Sequence, residues 1–178
     1  MSTMAIFKAT YTKSSAGAKA SIRYIQHRPG KDGAKITRTL FGWDGVMERQ
    51  EAYRMIDEAD KDSLFFRFVI SPDPLTEDTK RDLFLRDIIE QTMVRLEDRL
   101  HTYVEWVASE HNDHTSLRHV HVVAIVPGRL QVQDLQSLRH MATDAALEQR
   151  RARDYAYGQQ AQAQEYREGE EAGWERLV

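Results

Sequence analysis

His119-Val120-His121 sets two imidazoles two residues apart inside an apolar, β-branched run of Val120, Val122, Val123, Ile125 and Val126. Such a run predicts a buried strand. Side chains alternate faces along a strand, so both imidazoles emerge on the same face. A third histidine, His111, stands eight residues before His119 and ends a second strand-like run, Tyr103 to Ser109. The polar stretch Asn112-Asp113-His114-Thr115-Ser116 between the two runs reads as a loop. A hairpin of this kind brings His111 beside the pair. Three neutral ring nitrogens can then hold one metal ion and leave coordination positions open, as a catalytic site requires. His114 is a spare histidine that replaces His111 if the loop folds back. Asp113 is a candidate to accept the second N–H of a ligating imidazole and fix its orientation. Glu110 is a second choice, although a persistent strand points it away from His111.

Two further residue types suit phosphodiester chemistry. Tyr24 falls off the Ala18/Ile22/Ile25 stripe of a predicted helix, with Arg23, Arg28 and Lys19 nearby. A phenol there can act as a covalent nucleophile once cations lower its pKa. The bland reading is a tyrosine packed at a helix edge. Ser71 ends the run Phe66-Arg67-Phe68-Val69-Ile70-Ser71 on the face of Arg67 and Val69, opposite the phenylalanines. Its hydroxyl is either a phosphate contact at the rim of the open face or an ordinary strand-ending turn residue.

These residues need elements to position them. Residues 4–11 predict a first strand, followed by a helix capped at Ser14 or Ser15 and running to about His27. Arg28-Pro29-Gly30 breaks it. A weak strand over 35–41, a turn at Gly42-Trp43-Asp44-Gly45 and a helix over 48–60 follow. Leu64 to Ile70 predicts a strand, ended by Ser71-Pro72-Asp73-Pro74. A long helix over 79–100 carries Leu85, Ile89, Met93, Leu96 and Leu100 on one stripe. The two histidine strands come next and Pro127-Gly128 closes them. Residues 132–166 are helix-like, with aliphatic residues thinning from about Arg150, so the end is a solvated helix or depends on a partner. The order β-α-(β)-α-β-α-β-β-α predicts an α+β fold on a mainly antiparallel sheet. Helices are expected on one face, leaving the other for the histidines. Residues 1–130 form the domain and 131–178 a helical C-terminal extension.

The 178 residues suffice for one domain with a core; 41% are hydrophobic and 30% charged. No cysteine is present, which excludes disulfides, thiolate zinc sites and cysteine nucleophiles. With no apolar run of membrane length and no signal-peptide core, a cytoplasmic location is expected. The net charge of −3 argues mildly against generic nucleic-acid binding, yet residues 1–40 hold eight Lys/Arg against the single acid Asp32. That asymmetry suggests one anion-binding face, or else a fluctuation among solvated charges.

Together the segments resemble a relaxase of the HUH endonuclease superfamily, in its mobilisation (MobP-like) branch. Ala18 to Gln26 resembles the motif that holds the nucleophilic tyrosine. Phe66 to Pro72 is similar to the motif whose serine contacts DNA. Trp106-Val107-Ala108 leads to His111-Asn112-Asp113, a His-x-Asp, and His119-Val120-His121 matches the histidine pair around a bulky apolar residue. The resemblance spans about residues 4–127 in the family's order. The loop after His111 is about one residue longer than usual, which leaves the third ligand between His111 and His114.

The resemblance implies a ferredoxin- or RRM-like palm. It implies that Tyr24 attacks a phosphodiester of single-stranded DNA at an origin-like site, giving a 5′-phosphotyrosyl link and a 3′-hydroxyl. His111, His119 and His121 would hold a divalent cation, Mg²⁺ or Mn²⁺. Asp113 would tune a histidine or help deprotonate Tyr24, and Ser71, Lys19, Arg23 and Arg28 would seat the DNA. No helicase or primase portion is recognised, so the chain either works with accessory relaxosome or transfer proteins as partners or is a short replication or mobilisation initiator. Two other readings predict different behaviour. A non-catalytic α+β nucleic-acid-binding module would show salt-sensitive binding without cleavage. A metal hydrolase acting through bound water would cut without a covalent intermediate.

Overall fold

The computed structural model describes residues 4–113 and 117–175. Six antiparallel strands form one sheet in the order β1-β4-β6-β5-β2-β3. They are β1 (Ile6–Thr12), β2 (Leu40–Gly42), β3 (Gly45–Met47), β4 (Leu64–Ser71), β5 (Trp106–His111) and β6 (His119–Val126). Four helices join them: α1 (Ser15–His27), α2 (Arg49–Asp57), α3 (Leu85–Leu100) and α4 (Val132–Glu175). The α+β class and the antiparallel sheet are as expected. No helix among the described residues is long and apolar enough to cross a membrane.

Strand alternation divides the side chains of the central strands between two cores. Phe66, Phe68 and Ile70 of β4 and Val120, Val122 and Ala124 of β6 pack under α3 and the first half of α4, which contributes Leu138, Ala142, Ala145 and Ala146. Phe68 is fully buried, and withdrawing such a ring from water contributes about 1.5–3 kcal/mol. On the other face a smaller cluster unites Ala18, Ile22 and Ile25 of α1 with Met55 and Ile56 of α2 over Phe65, Val107 and Val123.

Helices therefore cover both faces, which corrects the expectation of helices on one face only. The reason is visible in the odd-numbered positions. Phe65, Val107 and Val123 are too apolar to face water, and the Ala18/Ile22/Ile25 stripe closes over them. The cover is partial: Ile6, Lys8 and Thr10 of β1, on the same face, stay exposed.

Several boundaries also move. The strand expected over 35–41 is confined to 40–42 and turns at once into β3, with Gly42 opposite Gly45. Gly45 has φ 108°, open to glycine without a Cβ clash. The helix expected from 79 begins at Leu85. Asp73 Oδ1 accepts the N–H of Leu75 and Thr76, and Asp78 Oδ1 accepts that of Leu83, so side chains hold this segment in turns. β5 starts at Trp106, not at Tyr103, and runs through His111. α4 is one helix of 44 residues, extending well past 166.

Candidate metal centre

Register puts the histidines together. His111 pairs directly with His119 across β5 and β6, and Ser109 with His121. The odd positions of both strands face the α1 side, so three imidazoles share one patch. Ring centroids lie 4.5 Å apart for His111–His121, 5.0 Å for His119–His121 and 5.3 Å for His111–His119. One ligand nitrogen from each falls within 4.8 Å of the others. Ligands around a metal at about 2.1 Å stand roughly 3.0–3.4 Å apart, so an ion would draw the rings closer together. His114 lies outside the described residues.

Hydrogen bonding prepares the rings for a cation. His111 Nε2 lies 2.7 Å from the carbonyl of Ile25. An N–H donated there leaves the Nδ1 lone pair available, and Nδ1 is buried without a partner. Both ring nitrogens of His121 are buried and unpartnered. His119 Nδ1 lies 3.1 Å from the Leu117 carbonyl. Buried polar atoms without partners are costly, and a bound cation removes that cost. Burial is the main reason that His111 titrates near 4 and His121 near 3, so both are neutral, as ligation requires. The Ile25 carbonyl belongs to the last turn of α1, whose negative dipole end favours a cation nearby. These residues fit a metal ion.

Tyr24 stands beside the cluster. Its ring meets that of His121 edge-on, centroids 6.4 Å apart at 88°. It is 45% exposed, and the Arg28 guanidinium lies 5.7 Å from its ring centre. Arg23 and Arg28 line one cavity with it. Tyr11, an alternative phenol in the first strand, is on the opposite face against Phe66 at 5.2 Å.

Other residues expected at the site are engaged elsewhere. Asp113 makes a two-oxygen bridge to Arg38, at 2.8 and 2.7 Å. The Ile25 carbonyl, not Asp113, is the hydrogen-bond partner of His111. Arg38 also donates to the Arg28 carbonyl at 2.6 Å, so the Asp113–Arg38 pair ties the end of β5 to the end of α1. Arg38 holds the Asp113 carboxyl below the usual range. Ser71 is 3% exposed and donates to the Arg118 carbonyl at 2.7 Å. Lys19 pairs with Asp57 on α2 at 2.6 Å. Glu110 faces away from His111 and binds Arg118 at 3.1 Å.

The residues missed in the sequence are Ile25, Arg38 and Arg67. A backbone carbonyl leaves no side-chain signal, and Arg38 sits in a segment with no clear periodicity. Arg67 had a signal: an arginine alternating with phenylalanines in a central strand must face something polar.

Comparison with family models, with curated proteins and with solved structures found no match for this chain.

Proposed function

We propose that this chain is a metal-dependent single-strand DNA nickase and strand transferase of the relaxase type, initiating transfer or replication of a plasmid or mobile element. The observation that carries the reading is Tyr24 standing edge-on to His121, on the face where three histidines converge. Nucleophile and metal ligands within one site are what covalent phosphodiester cleavage needs.

A divalent ion held by His111, His119 and His121 would supply Lewis-acid polarisation of a phosphodiester. Three imidazoles suit Mn²⁺ better than Mg²⁺, which prefers oxygen. The Tyr24 hydroxyl attacks phosphorus. The Tyr24 Oη–P bond forms and the P–O3′ bond breaks; the phenolic proton passes to solvent water, and solvent water protonates the departing 3′-oxygen, so the net proton count is unchanged. The Arg28 guanidinium lies 5.7 Å from the ring centre, a cation beside the attacking group. The phosphotyrosyl link keeps the energy of the cleaved bond, so a 3′-hydroxyl can reverse the step and rejoin strands. Accessory relaxosome or transfer proteins would bring the origin to the site.

Incubation of the protein with a labelled single-stranded DNA library and Mn²⁺, followed by denaturing electrophoresis, tests this. A protein-linked fragment that disappears with Tyr24→Phe supports it. Cleavage surviving that substitution assigns the chemistry to water instead. Salt-sensitive binding without cleavage reduces the chain to a binding module.

A further inference from the structure

The half of the histidine face that α1 leaves uncovered contains a cation without a protein counter-charge. Arg67 is in the middle of β4, opposite Thr10 of β1 on one side and Val123 of β6 on the other. It is half-buried, and no hydrogen bond or ion pair engages it among the described residues. Its charge acts on His121 in the direction that opposes protonation. A half-buried guanidinium without a carboxylate loses solvation and gains nothing from the protein in return. Ten other ion pairs are formed among the described residues, so carboxylates are not scarce. Arg67 takes part in none of them.

Space lies on either side of it. One cavity of about 290 Å³ joins Arg67 to Lys8, Tyr24, Val69 and His121. A second of about 220 Å³ joins it to Thr12, Gly17 and Ser21 near the start of α1. Thr10 and Arg67 belong to both, so a trough runs along the open face from His121 past Arg67 to the start of α1. Lys8 pairs with Val69, and Val69 with His121, which puts a second cation on the same transverse row as the metal ligand.

We propose that Arg67, assisted by Lys8, is the anchor for a backbone phosphate of single-stranded DNA, adjacent to the phosphate that Tyr24 attacks. The assignment rests on the proposed nickase reading for the identity of the strand. The ligand chemistry, a phosphate oxyanion, follows from the trough itself. A guanidinium presents a planar fork that matches two phosphate oxygens, whereas an ammonium provides a point charge. The trough would thus fix the strand's register by Arg67 and add attraction by Lys8. It is distinct from the arginines around Tyr24 on α1, which approach from the helix side.

The test compares wild type, Arg67→Gln, Arg67→Lys and Lys8→Gln with three readouts: affinity for a labelled oligo-dT across a salt series, Mn²⁺ affinity, and melting temperature. Arg67→Gln should weaken oligo-dT binding roughly tenfold at low salt and reduce the slope of log K against log salt by about 0.7, the share of one single-strand phosphate. Arg67→Lys should restore the slope but only part of the affinity. Lys8→Gln should give the smaller loss. Mn²⁺ affinity should hold, and melting should stay level or rise, since an uncompensated cation is removed. Inorganic phosphate as competitor separates the sources: if millimolar phosphate displaces oligo-dT, the slot takes a free anion as well, and the strand-specific assignment is overturned. Unchanged oligo-dT affinity and slope in Arg67→Gln also overturn the proposal, as does a fall in melting temperature that accounts for the binding loss. The nickase reading fails separately. Wild type that binds with the Arg67-dependent slope but forms no covalent adduct sinks the nickase and leaves the phosphate anchor standing.

Discussion

The two faces of the central strands carry opposite duties. On β4 and β6 the even-numbered side chains are phenylalanine, isoleucine, valine and alanine, closed under α3 and α4. The odd-numbered ones include Arg67, His119 and His121, with partly open ground beside them. On the closed face the β4 and β6 side chains are apolar and ask for no polar partner. The other keeps buried nitrogens of His111 and His121 without protein partners. A period of two lets one strand supply stability on one face and chemistry on the other, although the odd-numbered face also carries the smaller core of Phe65, Val107 and Val123. The lesson is that stability and function should separate by residue parity, and this can be broken experimentally.

The largest effect is expected on the closed face. Phe68→Ala should destabilise by about 3–5 kcal/mol, read by denaturant unfolding, with Mn²⁺ affinity of the folded fraction unchanged. A selective loss of metal binding at intact stability would dissolve the distinction.

His121→Ala should act the other way round. A metal that binds only the folded chain stabilises it by about 2.7 kcal/mol at a hundredfold excess over its dissociation constant. The variant should lose that rise in melting temperature while its metal-free stability falls far less than that of Phe68→Ala. Equal losses with and without metal would make His121 a plain core residue.

Acid should expose the same contrast. His111 and His121 bind protons more weakly in the folded chain, so the unfolded chain holds more protons from about pH 6.5 down to about 4 and 3. Stability should therefore rise with pH across that window and fall on acidification. Glu77 works in the opposite sense, since burial lifts it to about 7 and its contribution is lost as pH rises through that value. Subtracting the His121→Ala curve from the wild-type curve removes the Glu77 part. The difference should slope upward between pH 4 and 6.5, at roughly 2–4 °C of melting temperature per kcal/mol. A flat difference means that His121 titrates normally.

Smaller still are two stability effects. Tyr24→Phe should abolish any protein–DNA adduct while shifting stability by less than about 0.5 kcal/mol, because the ring is half-exposed. Asp113→Asn should loosen the Arg38 bridge and lower adduct formation only few-fold, without the complete loss that a general base would give. Complete loss at intact Mn²⁺ affinity would return Asp113 to a direct role.

Much of this was legible in the sequence. The period-two alternation around His119-Val120-His121 and Phe66-Arg67-Phe68 gave strand identity and facing, because a pleated strand leaves no other choice. The helical stripe of Ala18, Ile22 and Ile25 put Tyr24 off the core, as found. Local chemistry decided these features, and local chemistry is what a sequence states.

What faces what across the molecule was decided by tertiary structure alone. Whether helices cover one side of the sheet or two depends on total apolar area, summed over strands distant in sequence. The orienting partner of His111 is a carbonyl 86 residues away, an atom every residue has. Asp113 went to Arg38, 75 residues before it, because a bidentate charged pair outcompetes a neutral imidazole for a carboxylate. The chain itself carried the ligands and the phenol; only folding could decide that they meet and which partners hold them.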